Sequence, residues 1–229
     1  MKFSLQNDRL LLLLLAGDLV FILLYIIYLT TNLLTSNLYS LSLDRGYAEF
    51  FQYTKELWIA ILFVLLGVKQ RRGLYFVFSA LFLFFLFDDS FEFHETFGAF
   101  LAEALRLQPA LGLRPVDFGE LIFSGIFGLL FLVAIAIFYY LADLNARRLA
   151  LYLFSMLAVL AFFGVLADLL GMLARVEWLF RVLVIIEEGG EMLVMSLITW
   201  FVYRVDLASV QLPFTGPPFL ERWLVRKNP

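Results

Sequence analysis

The sequence predicts an all-α, polytopic integral membrane protein, with about six transmembrane helices in one bundle. Composition and the pattern of apolar residues carry that reading. Of 229 residues, 63% are hydrophobic and 16% are charged, with a mean hydropathy of +0.91. Soluble domains run at about 45–50% apolar and 25% charged. The apolar residues fall in long runs, not in the short alternating segments of a membrane β-barrel. A spanning helix takes about 20 mostly apolar residues, and six runs meet that length.

The first run, Arg9–Thr35, is too long for a signal-peptide core and is followed by no small-residue cleavage site, so it reads as a retained span. The second, Phe50–Val68, follows the polar stretch Ser36–Glu49. The third, Leu74–Leu105, begins after Lys69–Gly73. The fourth, Phe118–Leu141, follows Arg106–Asp117. The fifth, Leu149–Leu173, opens past Asp143–Arg148, and the sixth, Trp178–Tyr203, past Arg175 and Glu177. Proline, glycine and charge clusters of this kind punctuate helices.

Lysine and arginine in short loops set orientation. Lys69, Arg71 and Arg72, then Arg147 and Arg148, then Arg204, Arg222, Arg226 and Lys227 alternate in position with loops whose basic residues are offset by acids. Both termini are therefore expected in the cytoplasm, and the localisation expected is a bacterial inner membrane. Residues 1–206 read as the transmembrane domain. Residues 207–229 read as a cytoplasmic tail, either interfacial through Phe219–Leu224 or disordered.

The charge balance of −3, without a long basic tract, argues against nucleic acid as a partner. With no cysteine, thiolate chemistry and disulfides are excluded. One histidine cannot build a multi-histidine zinc site, and no glycine-rich phosphate loop is present.

The informative residues are acids inside apolar runs, where an ionisable group costs several kcal/mol and marks function by default. The third run carries Asp88, Asp89, Glu92 and Glu95 with the lone His94; the sixth carries Glu187, Glu188 and Glu191 around Gly189-Gly190. On an unbroken helix Asp88, Glu92 and Glu95 share one face at i, i+4 and i+7, with Asp89 bordering it and His94 to the side. Glu187 and Glu191 pair likewise. At 1.5 Å rise per residue, both stripes fall between mid-membrane and the outer leaflet, Asp88 roughly 21 Å from the cytoplasmic face and Glu187 roughly 14 Å from the outer one. Neighbouring carboxylates at that depth share protons or bind a cation.

Asp88, Glu92, Glu95, Glu187 and Glu191 are thus the expected metal or proton ligands. Asp89, His94, Glu188, Asp18 and Asp168 are expected to orient or gate them. Taken singly, Asp18 and Asp168 read equally as helix-bridging hydrogen-bond partners, and Lys55, Glu56 and Glu120 as interfacial residues. Gly189-Gly190 reads as a kink or as a packing notch. The candidate cofactor is a divalent ion; oxygen ligands suit Ca, Mg or Mn, and an added imidazole admits Fe or Zn.

Three short motifs carry likenesses. Glu187-Glu188-Gly189-Gly190-Glu191 resembles the Arg-Glu-Gly-x-Glu motif of high-affinity iron permeases, with Glu188 and Glu191 in the acidic positions and Glu187 where the arginine stands. Asp88-Asp89-Ser90-Phe91-Glu92 is similar to the Asp-Asp-x-x-Asp motif by which prenyl transferases hold diphosphate through magnesium. Glu92-Phe93-His94-Glu95 is set beside the Glu-x-x-His pairs of membrane di-iron oxidases, but its spacing separates Glu92 from His94 on a helix, so that match fails unless the helix is locally distorted. Three functions stay open: a membrane protein that transports or binds a metal ion or proton, a metal-dependent membrane enzyme, and a non-catalytic subunit of a larger membrane complex. Partners expected are the lipid bilayer and the ion, with a second copy of the chain or a complex partner left open.

Overall fold

A computed structural model describes residues 8–110, 112–167 and 176–208. Among them it is all-helical. The helices are α1 (Arg9–Thr30), α2 (Tyr47–Gln70), α3 (Gly73–Phe91), α4 (Phe93–Ala104), α5 (Pro115–Leu141), α6 (Leu144–Ala161, continued by a π-helical turn Phe162–Ala167) and α7 (Glu177–Ala208); a 3₁₀ turn, Asn37–Tyr39, lies between α1 and α2. Five of them, α1, α2, α3, α5 and α6, are long and apolar enough to cross a membrane. Residues 209–229, which contain nearly all of the expected tail, and Asp168 lie outside the described residues.

Local chemistry sets the boundaries. Asp143 accepts the Ala146 N–H at 3.2 Å and starts α6, Pro115 opens α5, and Arg71 closes α2 in a left-handed conformation (φ 53°). Each satisfies or dispenses with backbone groups that a helix end leaves unpaired.

The core lies between α2, α3, α6 and α7. Phe63 of α2 stacks near Phe78 and Phe82 of α3, with ring centroids 5.4 and 6.1 Å away, and Ile198 and Val202 of α7 and Leu153 of α6 fill in behind. Ser79 donates to the Ala60 carbonyl at 2.9 Å, tying α2 to α3. Inside a bilayer such packing and interhelical hydrogen bonds, not exclusion from water, hold helices together. By contrast only 6% of the most apolar window of α5 is buried, which suits a lipid-facing helix.

The expected third span is not one helix. At Glu92 the backbone turns left-handed (φ 53°, ψ 43°), α3 ends and α4 begins. The twelve residues of α4 are too few to span; α4 packs instead along α5. Gly98 and Gly119 meet there, with so little space that a Cβ on residue 119 would sit 2.7 Å from the Gly98 carbonyl carbon.

Helix α7 runs without interruption from Glu177 to Ala208 through the glycine pair, which serves as a packing notch. Gly190 receives the Phe163 ring from the π-helical turn, and Gly189 lies against Ile22 of α1.

Candidate functional site

Acids from one loop and five helices converge on a cavity of about 780 Å³ at the end of the bundle where α2 and α5 begin. The α1–α2 loop contributes Asp44, α2 contributes Glu49, α3 Asp88 and Asp89, and α4 Glu95. From α5 come Asp117 and Glu120, and from α7 Glu187, Glu188 and Glu191. Against these ten carboxylates, the basic groups in the described lining are His94 and Arg114, and Arg114 is held at 2.7 Å by Asp117 in the capping box of α5.

The two acidic knots therefore line one cavity. Helix α2 contacts both α3 and α7. The stripe on α7 keeps its helical register. The carboxylate of Glu191 reaches into the space that Gly164 leaves in the π-helical turn.

The stripe Asp88–Glu92–Glu95 does not form, because the break at Glu92 removes the helical register on which it depended. Asp88 Oδ1 accepts the backbone N–H of His94 at 2.8 Å, satisfying a free donor in the first turn of α4. The same oxygen lies 3.3 Å from His94 Nδ1. His94, expected to the side, is thus brought beside Asp88 and Asp89, and one ligand atom from each of the three lies within 4.8 Å of the others. Glu92 is not in the cavity lining. Its carboxylate pairs with Arg45 at 2.9 Å, and Arg45 Nε donates to the Ser90 carbonyl at 3.3 Å, so that the α1–α2 loop clasps the break.

That placement separates two roles for Glu92. Glu92→Gly should remove a left-handed strain of about 1–2 kcal/mol and lose a half-exposed ion pair worth about 0–1 kcal/mol. The expected result is an unfolding temperature at or above that of the wild type, read by thermal melting in detergent. A marked loss would mean that the Arg45 clasp outweighs the relief of backbone strain.

His94 titrates well above its ordinary value near 6.5, at about 9, chiefly because of its hydrogen bond to Asp88. A raised folded value gives stability that is fully present below 6.5 and is lost as pH rises through about 9. In metal-free protein the difference in melting temperature between wild type and His94→Gln should be widest near about pH 6 and close by about pH 10. A constant gap would mean that the imidazole packs without titrating.

Glu56 and Lys55 lie buried within the bundle, with exposures of 1% and 0%. The Glu56 carboxyl hydrogen-bonds that of Asp89 from behind the cavity wall, and its Oε2 has no hydrogen-bond donor among the described residues. Two carboxyl groups in such contact must share a proton or a cation. Tyr53 steadies the same corner, its hydroxyl 2.6 Å from Glu49 Oε2 and 3.2 Å from the Asp89 carbonyl. Neighbouring Lys55 faces away from the cavity. Its Nζ donates to Asp18 Oδ1 at 3.0 Å, to the Met192 carbonyl at 2.9 Å and to Ser196 Oγ at 3.4 Å, while Ser196 donates to Asp18 Oδ2 at 2.6 Å. Asp18 thus belongs to a closed network joining α1, α2 and α7, outside the cavity lining.

Fold and site together define a helical membrane-type bundle with an acidic cavity at one end. The chain belongs to the family described as Domain of unknown function (DUF8692), whose model matches residues 10–207. No curated protein and no solved structure matches the chain.

Proposed function

We propose that the protein handles cations within a membrane, drawing them from the outer side into the acidic cavity. In this reading α1, α2, α3, α5, α6 and α7 are the six spans, α4 is a half-depth helix on the outer side, and both termini are cytoplasmic by the distribution of Lys69, Arg71, Arg72, Arg147 and Arg148. The observation that carries it is the lining itself: ten carboxylates faced by His94 and an already paired Arg114. A cleft lined by one sign of charge between low-dielectric walls concentrates counter-ions. Carboxylates this crowded are held together only by protons or metal ions.

In this reading the α7 acids, which line the same cavity, pass the ion inward. A triple variant, Glu187→Gln/Glu188→Gln/Glu191→Gln, in liposomes loaded with a metal-quenched dye should lower Mn²⁺ entry by about tenfold or more, the scale of losing several charged contacts. Equal entry in wild type, triple variant and empty liposomes would overturn the transport reading. A second reading, a metal-dependent membrane enzyme, is favoured by the single imidazole beside two carboxylates, since such mixed sets activate water or oxygen on a bound metal.

A further inference from the structure

We propose that Asp88, Asp89 and His94 form a discrete site for one transition-metal divalent cation, at the foot of the acidic cavity, with Glu56 as its buried outer support. This site rests on the cation-handling reading and gives it an ion class and a ligand set.

The three residues come together only because the chain breaks at Glu92, which swings His94 back over the last turn of α3. Their donor atoms lie within 4.8 Å of one another, and His94 Nδ1 stands 3.3 Å from Asp88 Oδ1. With metal–ligand bonds of about 2.0–2.2 Å, adjacent donors in tetrahedral or octahedral shells sit about 3.0–3.4 Å apart, so the Asp88–His94 edge already has that length. Asp89 supplies the third donor, within 4.8 Å of the other two. Asp88 is fixed for the task by the His94 N–H that it accepts at 2.8 Å.

The second observation is Glu56. It is 1% exposed, its carboxyl meets that of Asp89, and Oε2 has no partner among the described residues. Lys55, the adjacent cation, is consumed by Asp18, Met192 and Ser196. A buried acceptor left open against a ligand carboxylate fits the outer-sphere group that orients a ligand or holds a metal-bound water. One nitrogen and several carboxylate oxygens select Mn²⁺, Fe²⁺, Co²⁺ or Zn²⁺ over Mg²⁺ and Ca²⁺, which take oxygen alone. On binding, the ion replaces the imidazole proton, which leaves to solvent, as at any histidine ligand.

The test is Co²⁺ titration of the full chain in detergent at fixed pH, followed by visible absorption, with Mg²⁺ in excess to fill non-selective carboxylates. One saturable equivalent with a ligand-field band is expected. His94→Gln and Asp89→Asn should abolish the band. Glu56→Gln should weaken binding by about 10–100-fold. Glu103→Gln, exposed on α4 and outside the cavity lining, should leave the band unchanged, and size-exclusion profiles report folding of each variant. A wild-type protein without the band, or a band that survives in a folded His94→Gln protein, overturns the site. Mn²⁺ entry into liposomes that persists in either case would leave the wider cation-handling reading standing.

Discussion

Lys55→Met is expected to be the most damaging single substitution in the protein. It keeps the length of the side chain and removes its charge, leaving Asp18 with neither solvent nor counter-ion, since both residues are fully buried. Losing one partner of a buried pair costs about 3–5 kcal/mol, because the penalty is that of the stranded charge. The surroundings leave no substitute. All three Nζ hydrogens have acceptors on α1 and α7, the Phe51 ring lies 4.8 Å away, and Ser196 already donates to Asp18. The check is a thermal melt in detergent beside the double variant Lys55→Met/Asp18→Leu. The single change should leave little folded protein, and the double should recover most of the loss because no charge remains to strand. If Lys55→Met melted with the wild type, the pair would be dispensable, and the junction of α1, α2 and α7 would rest on apolar packing alone.

The second large effect is expected at Gly119. A methyl group there would meet the Gly98 backbone, with the carbonyl carbon at 2.7 Å and Cα at 3.0 Å. Backbone cannot rotate away as a side chain can, so Gly119→Ala must push α4 from α5. Overpacking costs about 1–3 kcal/mol in ordinary cores, and a backbone clash lies at the upper end. The displacement would also drag the first turn of α4, and hence His94, from Asp88, so Co²⁺ binding should fall together with melting temperature. Gly125 and Gly128 on the same helix provide the control. Nothing lies within 4 Å of a Cβ at either, so alanine there should gain up to about 1 kcal/mol of helix propensity. Equal behaviour at the three positions would contradict the α4–α5 contact.

The helical class, the apolar elements and the clustering of acids at one end were legible in the sequence because each depends on composition and period. Length carried a further signal that pattern alone hides. Leu74–Leu105 as one helix would be about 48 Å long, well beyond a hydrocarbon core of about 30 Å, so a break was called for. Its place was not legible. Glu92 has no glycine or proline beside it, and its left-handed turn is held by Arg45 from a distant loop and by the Asp88 cap on His94. For the same reason the groups that gather at Asp88 are Asp89 and His94, while Glu92 turns to Arg45. The burial of Lys55 was illegible too, since its partners Asp18, Met192 and Ser196 are tertiary.

The network around Lys55 also bears on the order in which the bundle is made. Asp18 and Lys55, on α1 and α2, leave the ribosome well before Met192 and Ser196, on α7. During synthesis the early helices can neutralise each other as an inserted hairpin, with two Lys55 hydrogens still unanswered. Docking of α7 then supplies the missing acceptors and brings Glu187, Glu188 and Glu191 to the cavity in the same movement. The α7 side of the acidic wall is thus added to a scaffold whose own buried charge has already been neutralised.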